Sequence, residues 1–293
     1  MKNPNNVLQT VGVLSISLML TSSQAINGVI PQMKEALNIS QSQSELLGTA
    51  PSITVILFIL LSSYVADKLG MRKTIIIGLL LAGIGGILPV FVANFPIVLI
   101  SRIILGAGLG LYNSLAVTYI SALYTGNARA SLLGMRSSME AIGQTVLIFL
   151  AGILVNISWT ASFSVYALAF PVALLFALRV PEVKIEKPES GSVKEKMNPA
   201  VYALVLFAIL LVMNSIAISV RFSSIVTEIN GSAFNASNYL ALMPILGIAA
   251  GFIFGAVNRT FGNKTMYLGI GFFILSNVFI AMSSGNMVLL LLG

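Results

Sequence analysis

Long apolar runs separated by short polar clusters organise this chain. A helix rising 1.5 Å per residue needs about 20 apolar residues to cross roughly 30 Å of hydrocarbon. Read with that window, the sequence predicts nine complete spans, at 7–30, 46–66, 74–94, 96–123, 137–157, 160–180, 199–221, 237–258 and 266–283. A final run at 287–293 makes only two turns, so the chain is expected to break off inside a tenth span. The first run is followed by small residues that resemble a cleavage site. It is too long for the core of a signal peptide and carries only Lys2 ahead of it, so it is read as an uncleaved span.

Composition agrees with that pattern and narrows the chemistry. Of 293 residues, 57% are hydrophobic and 9% charged, with a mean hydropathy of +0.97, as expected of an integral membrane protein. There is no cysteine and no histidine, and Asp67 is the only aspartate. These absences exclude thiolate and histidine-based nucleophiles, the usual zinc and haem sites and paired-aspartate proteolysis. The lysines all lie in predicted loops, which disfavours a Ser/Lys dyad. The chain is therefore read as a non-enzyme that needs no cofactor and no metal. No nucleotide-binding loop is present either, so an ion gradient is the expected energy source.

Charge then orients the spans. With Lys2 in the cytoplasm, the same side receives Lys68, Arg72, Lys73, Arg129, Arg136, Arg179, Lys184, Lys187, Lys194, Lys196, Arg259 and Lys264, which with Lys2 makes 13 of the 16 basic residues. The formal net charge of +7 thus reports topology in a plasma-membrane, multi-pass protein and implies no nucleic-acid partner. The polar stretch from Arg179 to Ala200, with three prolines and balanced charge, reads as a cytoplasmic linker. The expected organisation is a six-helix bundle over 1–180, a linker over 181–198 and a partial second bundle over 199–293. A shift of 192 residues lays the second part on the first: Ser63 on Gly255, Asp67 on Arg259, Gly70 on Gly262 and Arg72 on Lys264, with Pro51 and Pro244 one residue out of register.

The segment Ser63-x-x-x-Asp67-Lys68-x-Gly70-x-Arg72-Lys73 resembles the GxxxD(R/K)xG(R/K)(R/K) signature of the major facilitator superfamily. Arg102, Gly106, Gly108 and Gly110 resemble that family's RxxxGxG pattern, and Arg129 with Gly134 its loop before the fifth span. The resemblance implies an all-α, two-bundle membrane fold whose second bundle is incomplete here. It also implies that the charged loop latches a cytoplasmic gate. Asp67 ends a helix whose dipole is already negative there, so Lys68, Arg72 and Lys73 offset it while Gly70 turns the chain. The family's partner for the latch lies in its eleventh helix, beyond this sequence. By pseudo-symmetry, Glu140 and Arg259 are expected to form a charge-swapped copy.

Polar residues inside spans mark the remaining candidates. Ser17, Thr21, Gln24 and Asn27 follow one stripe of span one; Arg102 and Asn113 share a face of span four, and Asn214 and Arg221 a face of span seven. Because the family's first, fourth and seventh spans line its cavity, Gln24, Asn27, Arg102, Asn113, Asn214 and Arg221 are candidates for substrate contact. Ser17 and Thr21 are read as interhelical hydrogen-bonding groups. Two arginines would suit an organic anion or an amphipathic compound. Glu140, placed one turn into span five, is the candidate for proton coupling, and span five lacks the Gly-Pro element of the family's drug antiporters. The expected function is secondary transport of a small-molecule substrate by alternating access in a lipid bilayer, with protons as a candidate coupling ion. The alternative is a truncated, non-transporting remnant or a membrane sensor on the same scaffold.

Overall fold

The computed structural model describes residues 7–183 and 242–283, with a few isolated helical positions between 202 and 214. Contacts divide the chain into two units: Met1–Ile185 with Pro244–Arg259, and Glu186–Met243 with Thr260–Gly293. Among the described residues the structure is helical, and seven helices are long and apolar enough to cross a membrane.

In the first unit, span one covers Val7–Val29 and begins as α1 (Val7–Ser15). Beyond Ser15 the backbone tightens into three short 3-10 segments, Ile16–Met19, Ser22–Gln24 and Asn27–Val29, before α2 (Ile30–Leu37). Bonds between residues three apart, such as Gln24 N–H to the Thr21 carbonyl at 3.1 Å, replace the α-helical pattern there.

The long helix α3 (Gln41–Leu69) starts at a capping box in which Ser40 and Gln43 satisfy each other's backbone N–H. It joins α4 (Met71–Phe91) through one residue, Gly70, whose φ of +87° is strained for any side-chain-bearing residue. α5 (Phe95–Leu123) is capped by the Asn94 side chain, which accepts from Ile97 N–H at 3.0 Å. α6 spans Gly126–Leu154; a 3-10 stretch (Ala161–Leu168) and α7 (Ala169–Arg179) make up span six.

Close packing around α5 explains its glycines. Gly106 and Gly110, four apart, face α3: a Cβ on Gly110 would meet the Val55 carbonyl at 2.5 Å, and one on Gly106 would run into Pro51. Gly108 faces the other way, where a Cβ would lie 2.6 Å from the Ala82 N atom of α4. The small-residue rows let three backbones approach where lipid offers no hydrophobic drive to bring helices together.

α8 (Leu242–Phe261) contributes Pro244–Arg259 to the same unit and crosses α6 through small residues. Ser138 donates to the Ile248 carbonyl at 2.8 Å, and Gly251 and Gly255 abut Gly134, Ser138 and Ser131. In the second unit, a 3-10 turn (Gly262–Lys264) leads into α9 (Thr265–Met282). Gly262 has a φ of +52°, so both glycines paired by the 192-residue repeat adopt positive φ after a helix.

The described spans match the expected ones except at span five. α6 begins at Gly126, eleven residues before the expected start at 137. The polar run from Gly126 to Ser137 depresses hydropathy while remaining good helix, so the apolar window opened too late.

Candidate functional site

The early start of α6 changes the position of its charges. Arg136 is ten residues and Glu140 fourteen residues beyond Gly126 in a helix of 29, so both lie near its middle, about 15 and 21 Å from its start. Arg136, counted above as a cytoplasmic loop residue, is therefore inside the helix. Glu140, expected one turn in, sits halfway along.

Arg136 and Glu140 are one turn apart on the same face, and the Arg136 Nη2 lies 2.9 Å from the Glu140 Oε1. Their side chains are 14% and 24% exposed. From α5, the Asn113 Oδ1 accepts from Arg136 Nη2 at 3.5 Å, and the Tyr112 ring is fully buried nearby. The Tyr112 hydroxyl and the Arg136 Nε are buried without a hydrogen-bond partner among the described residues. One turn beyond Glu140, Gln144 donates from Nε2 to the Gln24 Oε1 of span one at 2.6 Å. Thr21 donates to the Glu140 carbonyl at 3.2 Å. Gly143 makes this approach possible, since a Cβ there would lie 2.6 Å from the Leu18 Cα. The loosened part of span one is thus held against the middle of α6, and an open polar row of Arg136, Glu140 and Gln144 runs for about 12 Å beside it.

Of the expected cavity residues, Gln24 and Asn113 enter this cluster, and Asn27 is exposed further along span one. Asn214 is helical and half-buried, and Arg221 lies outside the described residues. Arg102 behaves differently. It is 0% exposed, with its guanidinium carbon 4.8 Å from the Phe163 ring centre and 5.0 Å from that of Tyr166. Its Nη1 donates to the Tyr166 hydroxyl at 2.9 Å, which in turn donates to the Ser22 carbonyl at 3.1 Å. Aromatic faces, with a buried hydrogen bond, hold this charge in the bundle interior and away from any solute. The expected Glu140–Arg259 pair is not made: Glu140 pairs with Arg136, and Arg259 is exposed near the end of α8.

At the α3–α4 joint, Ser63, Asp67, Lys68 and Lys73 are exposed, and Lys68 Nζ sits 4.4 Å from the centre of the Tyr64 ring. Arg72 turns towards span six, donating from its side chain to the Ala177 carbonyl and from its backbone to the Glu182 Oε1 at 3.3 Å. Tyr119 donates to the Pro181 carbonyl at 2.7 Å, so the chain leaving α7 lies across the joint. In the repeat, Gly255 packs on Ser131, while Gly262 and Lys264 belong to the exposed turn before α9.

Sequence reading missed Arg136, Gln144, Tyr112, Tyr166 and Glu182. The spacing of Arg136, Glu140 and Gln144 at four-residue intervals was available as a signal, but the hydropathy window had put Arg136 outside the span. Tyr166 and Glu182 act through contacts remote in sequence, which no local pattern encodes.

Comparison with known proteins gives one family. The model described as Major Facilitator Superfamily matches residues 12–293. The Bacillibactin exporter of Bacillus subtilis is 24% identical over 161 residues, 52% of this chain and 40% of that protein. The putative niacin/nicotinamide transporter of the same organism is 27% identical over 169 residues, 57% of this chain and 42% of that protein. The chain thus aligns with about two fifths of the length of these relatives. A crystal structure of a D-xylose-proton symporter superposes with a TM-score of 0.51 at 20% identity, covering 97% of this chain and 76% of that one, a likeness of fold.

Proposed function

The chain belongs to the major facilitator superfamily, a family of transporters, and from that membership we propose that it carries a small polar solute across a plasma membrane by alternating access, with its N-terminus cytoplasmic. The observation that carries this reading is the polar cluster of Gln24, Asn113, Arg136, Glu140 and Gln144 on membrane-length helices, read as lying within the bilayer. Charged and amide groups at that depth are costly unless they meet one another, water or a ligand. Relatives named for bacillibactin export, for niacin or nicotinamide and for arabinose–proton symport are consistent with a small solute. An organic anion loses its main support, because Arg102 is buried against Phe163 and Tyr166.

The driving force is read as an ion gradient. If a proton is carried by a side chain of this cluster, that side chain is Glu140, its only carboxylate. The α3–α4 joint with its flanking helix ends, from Ser63 to Lys73, is read as part of a cytoplasmic gate. Gly70 makes the tight joint and Arg72 anchors it to the end of span six.

Reconstitution into proteoliposomes tests the reading. Uptake of labelled polyols, sugars and nicotinamide is expected to exceed that of empty vesicles and to rise with an inward proton gradient. Gln24→Ala and Gln144→Ala are each expected to reduce it about tenfold, the effect of losing ~1.4 kcal/mol of solute binding, with little change in thermal stability. Uptake no greater than in empty vesicles across the panel would rule the transport reading out.

A further inference from the structure

Resting on the proposed solute site, we propose that this site is selective for uncharged solutes and that Glu140 sets that selectivity by cancelling the charge of Arg136. Two arginines lie within the membrane-length helices of the first unit away from their ends, and the structure removes both as attractors of an anion. Arg102 has no exposed surface and lies between the Phe163 and Tyr166 rings, so no solute reaches it. Arg136 is partly exposed, but its guanidinium is 2.9 Å from the Glu140 carboxylate. With Glu140 ionised, a solute entering beside them meets a pair of zero net charge. A charged solute would leave water without an unpaired counter-charge to meet, which is strongly unfavourable at low dielectric.

The uncommitted hydrogen-bonding capacity is suited to hydroxyl or amide groups. Gln144 gives one N–H to the Gln24 carbonyl oxygen, which leaves the Gln24 amide hydrogens as donors and the Gln144 oxygen as an acceptor. The row from Arg136 to Gln144 is about 12 Å long, enough for a molecule of one ring or six carbons. Glutamine in place of Glu140 would keep the shape of the row and leave Arg136 with the Asn113 oxygen at 3.5 Å as its remaining neighbour. The same site would then attract an anion.

Binding to the purified protein in detergent tests this with probes matched in size and different in charge: sorbitol, gluconate and glucosamine, all of six carbons, and nicotinamide against nicotinate. Dissociation constants would be taken from ligand-dependent thermal shifts. The wild type is expected to favour the neutral member of each set by about tenfold or more, and Glu140→Gln to favour the anion by a similar factor. Arg136→Gln should turn preference towards glucosamine, and the double variant Arg136→Gln/Glu140→Gln should restore preference for the neutral probe. Should Glu140→Gln not fold, the Arg136→Gln and double variants carry the same test.

Charge-blind binding in the single variants, tighter binding of anions by the wild type, or no binding of any neutral probe would overturn the proposal. Binding needs no gradient, so failure is separable from that of the transport reading. The expected reversal in a protein that moves nothing across vesicles would remove transport and leave the selectivity. Uptake with charge-blind binding would do the opposite.

Discussion

At Arg102 a full positive charge has no accessible surface; two ring faces and one tyrosine hydroxyl meet it, while its Nε and Nη2 are buried without a hydrogen-bond partner among the described residues. Lysine cannot reproduce that arrangement, because an ammonium is a compact point charge without a flat face to stack. Arg102→Lys is therefore expected to lower stability by about 1–3 kcal/mol, read as a fall in the midpoint of thermal unfolding in detergent. Tyr166→Phe, which removes the acceptor of Arg102 and the donor to Ser22, should cost a comparable amount. At this scale the sequence was partly readable. Gly70 was assigned a sharp turn from its motif and Gly262 was paired with it through the repeat, and both have positive φ. The burial of Arg102 was not readable, since nothing near it in the chain indicates that Phe163 and Tyr166 will fold over it. A charge within a span looks the same in sequence whether it faces a cavity or a wall of rings.

Glycine spacing governs packing between elements. Gly108 of α5 lies where a Cβ would meet the α4 backbone at Ala82, and the neighbouring turns are equally close to α3. Gly108→Leu should therefore force helices apart. The expected result is a loss of stability of about 1–3 kcal/mol or more, with a thermal midpoint well below that of a lipid-facing substitution such as Leu60→Ala. The α6–α8 crossing offers a chemical check, because the chain has no cysteine of its own. A Cβ at Gly255 would lie 2.8 Å from that of Ser131, about 1 Å inside the usual disulfide separation, so the pair Ser131→Cys/Gly255→Cys should oxidise to a disulfide once the crossing parts by about that much. Loss of free-thiol labelling would report it, and persistent labelling of both thiols under oxidant would count against the crossing. The helices themselves were legible because apolar length alone predicts a span. The start of α6 was not, since its first three turns are polar yet helical, and length of apolar run and length of helix part company there.

For the molecule as a whole, positive charge at span ends was enough to propose an orientation, and a repeat of 192 residues enough to propose two related halves. Where side chains from separate spans meet was beyond that kind of reading, and the site depends on such meetings: Gln24 with Gln144, Asn113 with Arg136, Thr21 with Glu140. The placement of both members of the ion pair on α6 has a further effect. A membrane potential does work of about 2.3 kcal/mol per elementary charge per 100 mV on charge that crosses it. Arg136 and Glu140 ride the same helix one turn apart, so any tilt or shift of α6 moves opposite charges together and displaces almost no net charge through the field. At a pH where Glu140 is ionised, equilibrium exchange of a neutral solute should thus proceed at the same rate whether vesicles are held at zero or at −100 mV. In Glu140→Gln the lone Arg136 would act as a gating charge, and exchange should become voltage-dependent.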